Sequence, residues 1–159
     1  MIFSKSSVVH REVIELDATP EQVREFIMNP ARILDYYPGP IDGGVIEDGS
    51  AIYCRGKSGV SLLELIESQT NPEMVVVKVT TARNIDPPFT IEKINAAGFF
   101  TMIEDWEIEP MGQGTRLTKT WRDITQSGLK FLPMGWIVRR GARAETPKLK
   151  AAWDAAARS

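Results

Sequence analysis

Cysteine is almost missing from this chain. Cys54 is the only one in 159 residues, which excludes an intramolecular disulfide and a thiolate zinc site. Histidine is as scarce: with His10 alone there is no paired-histidine site, so no metal is expected, and a hydrolase built on a histidine base is disfavoured. No stretch approaches about 18 continuous apolar residues. The start, MIFSKSSVVHRE, has no long apolar core and no cleavage-site pattern, so the expectation is a cytoplasmic protein without integral membrane association. Phosphate loops are missing too. Gly43 and Gly44, and Gly112 and Gly114, do not precede helices, and no cofactor is expected. The net charge of -2 argues against a nucleic-acid partner, although Arg139, Arg140, Arg143, Lys148 and Lys150 crowd one end. No linker, repeat or low-complexity run divides the chain, and its length suits one domain over 1–159 that buries roughly two thirds of its unfolded surface.

What is present is a strand, two short helices, six strands and a long helix. Residues 8–16 alternate as a strand. Thr19, Pro20 and Gln22 then form a helix start in which the threonine hydroxyl takes an orphan amide and proline presets φ; the helix is expected over about 20–28, with Val23, Phe26 and Ile27 on its apolar face. ARILDYY reads as a second short helix, stopped by Pro38 to Pro40. From Ile41 onward, strands are separated by turns at EDG, KSG, TNPE and MGQG. The stretch NIDPPFTIEKINAAG is expected to be a loop, functional or partly ordered as an extra strand, that edges a pocket.

Pairing across MGQG so that residue numbers sum to about 225 sets Glu109 opposite Arg116, Glu107 opposite Thr118 and Asp105 opposite Thr120 on an outer polar face. The inner face then holds Ile108 with Leu117, Trp106 with Lys119, Glu104 with Trp121, Met102 with Asp123 and Phe100 with Thr125. Three charges sit on this inner face: Glu104, Lys119 and Asp123. A sealed apolar core would penalise them by several kcal/mol unless paired. Either the face borders a wet cavity, or Glu104 and Lys119 form an internal ion pair. Arg83 shares the parity of Val75, Val77, Val79 and Thr81 and points inward or ends in solvent.

Residues 129–159 read as one amphipathic helix. Val138, Ala142, Leu149, Ala152, Trp153 and Ala156 share one sector, with Arg139, Arg140, Arg143, Lys150, Asp154 and Arg158 opposite. Glu145 falls inside the apolar sector, where desolvation would raise its pKa. Pro147 removes the bond to the carbonyl of Arg143, so a kink or a restart at Thr146 is expected, and a solvent-facing Glu145 at that kink is the competing reading. The tryptophans at 106, 121, 136 and 153 read as core or as an aromatic pocket. His10 reads as structural.

This order, with DATPEQVREFIMNPARILDYYPGP after the first strand and DWEIEPMGQGTRLTKTW in the final hairpin, resembles the START-like, Bet v1-like helix-grip superfamily, including the polyketide cyclase/dehydrase and lipid transport group. The resemblance covers nearly the whole chain and implies an α+β fold: a curved seven-stranded antiparallel sheet, two short helices and a long C-terminal helix over a hydrophobic cavity. It supplies no catalytic set to carry over. The expected function is binding or transport of a small hydrophobic molecule, with Arg83, Met102, Glu104, Trp106, Lys119, Trp121 and Glu145 as its lining. Two alternatives stand beside it. One is a cyclase or aromatase using Glu104, Lys119 or Glu145 for proton transfer; the other is a protein-interaction module using the basic surface of the last helix.

Overall fold

A computed structural model describes residues 7–47 and 49–159. Seven strands form one antiparallel sheet: β1 (Val8–Leu16), β2 (Pro40–Ile46), β3 (Ala51–Gly56), β4 (Gly59–Thr70), β5 (Glu73–Ala82), β6 (Gly98–Met111) and β7 (Gly114–Gln126). Their order across the sheet is β1-β7-β6-β5-β4-β3-β2, so every neighbouring pair except β1 and β7 is consecutive in the chain. The four helices are α1 (Pro20–Ile27), α2 (Pro30–Leu34), α3 (Ile91–Ala97) and α4 (Met134–Arg158).

The capping box forms as the sequence implies: the Gln22 amide donates to Thr19 Oγ1 at 3.2 Å, and the Thr19 amide donates to Gln22 Oε1 at 2.9 Å. Helix α2 is shorter than expected. Asn29 caps it by accepting from the Ala31 amide at 3.0 Å, Pro30 opens it, and it ends at Leu34, which leaves Tyr36 and Tyr37 outside the helix. The turns at KSG, TNPE and MGQG join β3 to β4, β4 to β5 and β6 to β7; Gly112, at φ 60, takes the left-handed position that the last of these needs. The EDG turn includes Asp48, which lies outside the described residues.

The segment expected to be a loop or extra strand contains α3 instead. Thr90 caps it, accepting from the Lys93 amide at 3.1 Å, a Thr-x-x signal that the double proline before it obscures. Its buried Ile94 packs with Ile46, Ala51, Val60, Leu62 and Ala82; on β4, Val60 and Leu62 alternate with the cavity-side positions Ser61 and Leu63. None of its residues edges the cavity.

The main core lies between the other face of the sheet and helices α1, α2 and the second half of α4. Trp153 is its hub. Fully buried, it stacks on Trp106 with centroids 5.8 Å apart and planes at 15°, meets Phe26 edge-on at 5.4 Å, and donates from Nε1 to the Arg32 carbonyl at 3.2 Å. Helix α4 begins at Met134 rather than Leu129 and runs through Pro147 without a restart. Thr146 Oγ1 donates to the Ala142 carbonyl at 2.9 Å on that stretch. Asp154, expected on the solvent side, is buried: it accepts from the Asp17 amide at 2.8 Å and from Lys150 at 3.1 Å, tying α4 to the end of β1.

Candidate functional site

A cavity of about 460 Å³ separates the first half of α4 from the sheet. Three groups of residues build it. The inward positions of β4, β5 and β6 give Ser61, Leu63, Val79, Thr81, Phe100, Met102 and Glu104; β7 gives Trp121; α4 gives Ile137, Val138, Gly141, Ala142 and Glu145. The third wall comes from Ile33, Tyr36, Tyr37 and Pro38, where α2 has ended. Exposed lining residues, among them Pro38, Ser58, Arg83 and Gly141, mark the mouth.

The hairpin register places these side chains. Glu104 pairs with Trp121, Trp106 with Lys119 and Ile108 with Leu117, the inner face that the 225 rule specifies. Beyond Ile103 the register shifts. Phe100 then pairs with Gln126 rather than Thr125, and Thr101 takes Thr125. This irregularity removes Asp123 from the inner face. With φ of 56, Asp123 accepts from the Ser7 amide at 2.7 Å through Oδ1 and from Arg122 at 2.6 Å through Oδ2, and the expected inward charge is a strand-end brace instead.

Of the seven residues expected to line the cavity, Arg83, Met102, Glu104, Trp121 and Glu145 do so. Trp106 and Lys119 do not. Trp106 is covered by Trp153, and Lys119 lies behind the wall with its side chain 1% exposed. Their role in the site is indirect, and it is large. Lys119 Nζ stands 2.7 Å from Glu145 Oε1 and 3.5 Å from Glu104 Oε2, over the rings of Trp106 at 4.1 Å, Trp121 at 4.6 Å and Tyr36 at 5.0 Å. A buried ammonium is tolerable here because carboxylates and aromatic faces replace its water. Both internal pairing and cavity exposure therefore apply to Glu104, where the sequence offered them as alternatives.

The two carboxylates share one ammonium. Burial pushes the Glu145 carboxyl up to about 7; Lys119 opposes the rise and the Glu104 charge adds to it. The Tyr36 phenol is pushed well above its ordinary range, first by burial and then by the Glu145 and Glu104 charges. Burial likewise pushes the Cys54 thiol up to about 12, so it stays protonated and is no nucleophile. Higher in the cavity, Tyr37, Ser61 and Thr81 form a chain of hydroxyls, with oxygens 2.8 Å and 3.1 Å apart. Sequence reasoning missed these hydroxyls. Ser61 and Thr81 carried a readable signal, because they pair across β4 and β5 with the parity of Leu63 and Val79; Tyr36 and Tyr37 lie outside any periodic element. His10 is placed structurally, its Nε2 2.9 Å from Glu12 and its ring 5.6 Å from Trp121. Trp136 is exposed, under the guanidinium of Arg140 at 5.3 Å.

A seven-stranded antiparallel sheet closed by a long terminal helix over a cavity is the α+β helix-grip fold, and this chain has that Bet v1-like architecture. Solved structures of the same fold include a conserved protein from Geobacillus kaustophilus (TM-score 0.62, 15% identity, 89% of this chain and 92% of that one). Ara h 8.0201 matches with a TM-score of 0.57 at 10% identity over 90% and 95% of the two chains. DynU16, from the dynemicin biosynthetic locus, matches with a TM-score of 0.55 at 12% identity over 89% of this chain and 45% of that one. Identities this low carry the fold alone. No protein-family model matches the sequence, and no curated protein does. Among the described residues no helix is long and apolar enough to cross a membrane, and no cluster of metal-ligating side chains occurs.

Proposed function

We propose that this protein binds or transports a small hydrophobic or amphipathic molecule in the cavity between the sheet and α4. The observation that carries the reading is the cavity of about 460 Å³ itself, a size suited to a drug-sized molecule. Its walls are mainly apolar, with Ile33, Leu63, Val79, Phe100, Met102 and Val138 among them. Burial of apolar ligand area, at about 25 cal/mol per Å², supplies most of the affinity. Glu104, Glu145, Tyr36 and the Tyr37, Ser61 and Thr81 hydroxyls orient the polar end. Native mass spectrometry of the protein purified from its host is expected to reveal a bound apolar compound; a chain that is always bare and takes up no apolar fluorophore would overturn the proposal.

One observation favours a second reading, catalysis by proton transfer. A cavity carboxyl pushed up to about 7 is tuned for general acid or base work near neutral pH. The presence of DynU16 in a biosynthetic locus is compatible with a cyclase or aromatase on this fold. For that reading, Glu145→Gln abolishes turnover of a polyketide-type substrate while leaving its binding intact; unchanged turnover would remove Glu145 from the chemistry.

A further inference from the structure

The deep end of the cavity holds more acceptors than its own donors can use. Lys119 brings three N–H groups to two carboxylates, and it is the side chain that bonds or pairs with Glu104 and Glu145 among the described residues. On the next strand, the residue opposite Lys119 is an acid. Glu12 pairs with Lys119 across β1 and β7, and its carboxylate is engaged by His10. Tyr36, on the facing wall, carries a phenol held in its neutral form. Cys54, on β3, is likewise neutral. With both glutamates ionised, the cluster of Lys119, Glu104 and Glu145 carries one surplus negative charge against an apolar chamber.

From this imbalance, and on the reading that the cavity binds an amphipathic molecule, we propose that its ligand enters with a hydrogen-bond-donating head, a protonated amine above all, seated against the Glu104 and Glu145 carboxylates. A singly charged ammonium brings the cluster to neutrality. An anionic head would instead set a further negative charge beside two carboxylates, where desolvation magnifies repulsion. The rings of Trp121, which lines the cavity, and Tyr36 already face the Lys119 ammonium and offer π surface to a second cation. The apolar body of the ligand then lies along Phe100, Met102 and Val138 toward the mouth. Arg83, exposed at that mouth, is far more strongly screened by solvent than the buried cluster.

The test is calorimetric titration, at pH 8 where Glu145 is ionised, with three probes that share one apolar body: naphthylethylamine, naphthylethanol and naphthylacetic acid. The amine is expected to bind at least tenfold more tightly than the alcohol, and the acid most weakly. In Glu104→Gln, which retains the Lys119 to Glu145 pair, the ratio of amine to alcohol affinity should fall below about threefold. Glu145→Gln is the second variant if the first fails to fold, with the same expectation. Equal binding of amine and alcohol, or preference for the acid, overturns the selectivity and leaves the cavity reading standing. An amine preference that survives in the folded variant also overturns it, since the amine then sits elsewhere. Failure of all three probes to bind the folded protein overturns the cavity reading and this inference together.

Discussion

Lys119 on β7 and Glu145 on α4 meet at 2.7 Å, and through them the strand next to the sheet's β1 edge grips the helix that closes the cavity. The contact joins residues whose side chains are 1% and 15% exposed. Removing the ammonium leaves Glu104 and Glu145 facing each other without compensation. Lys119→Met is therefore expected to destabilise the fold by about 3 kcal/mol at pH 8. The loss should shrink toward pH 5, as protons take the place of the lysine charge. Urea unfolding at the two pH values measures this; an equal loss at both would mean that packing of the lysine stem, not charge, is what matters.

The raised pKa of Glu145 has a thermodynamic consequence of definite sign. In the folded state the carboxyl titrates at about 7, against an ordinary value of 4.5, so between those two pH values the folded chain binds more protons than the unfolded one. Stability attributable to this group is present below pH 4.5 and is lost as pH rises through about 7, by roughly 3 kcal/mol in all. In Glu145→Gln that part of the slope should vanish. Thermal or urea melts from pH 4.5 to 8, wild type beside variant, provide the comparison, and parallel curves would contradict the assignment.

Trp153 anchors the second half of α4. Its ring is fully buried and contacts Trp106, Phe26 and Tyr36. Trp153→Ala should cost about 3–5 kcal/mol, enough to loosen the lid and lower probe affinity as well as stability. Trp136→Ala, at an exposed ring, should change stability by less than about 0.5 kcal/mol. Guanidinium denaturation of the two variants separates the anchor from the surface residue.

Gly141 lines the cavity, and a Cβ added there meets nothing within 4 Å. Gly141→Ala should raise stability by up to about 1 kcal/mol through helix propensity with little change in binding. Gly141→Phe should obstruct the chamber and weaken uptake of an apolar fluorophore at least tenfold, with melting temperature retained. Unimpaired uptake by a folded Gly141→Phe variant would place the fluorophore outside the cavity.

Much of this architecture is written in local pattern. Alternation and turn chemistry specify the strands. The spacing across MGQG specifies which side chains of β6 and β7 share a face, because a sheet allows only two faces and a hairpin allows few registers. Glu104 and Lys119 are legible as inward charges on that ground alone. The Thr19 to Gln22 capping box is equally legible, since both hydrogen bonds lie within four residues.

Other features depend on relations that no local pattern contains. A shift of one residue between Thr101 and Ile103 turns Asp123 out of the cavity, and parity counting cannot foresee it. Tyr36 and Tyr37 enter the wall because α2 stops at Leu34, four residues before Pro38. Glu145 illustrates the point most clearly. Helical periodicity assigns it to an apolar sector, but its meeting with Lys119 requires α4 to be held at one rotation and height above the sheet. Trp153 and Leu149 impose that placement by packing, and Asp154 does so through the Asp17 amide. The sequence by itself determined the sheet, its faces and the closing helix; tertiary packing decided that a gap would remain beneath that helix and that two carboxylates would meet one ammonium at its floor.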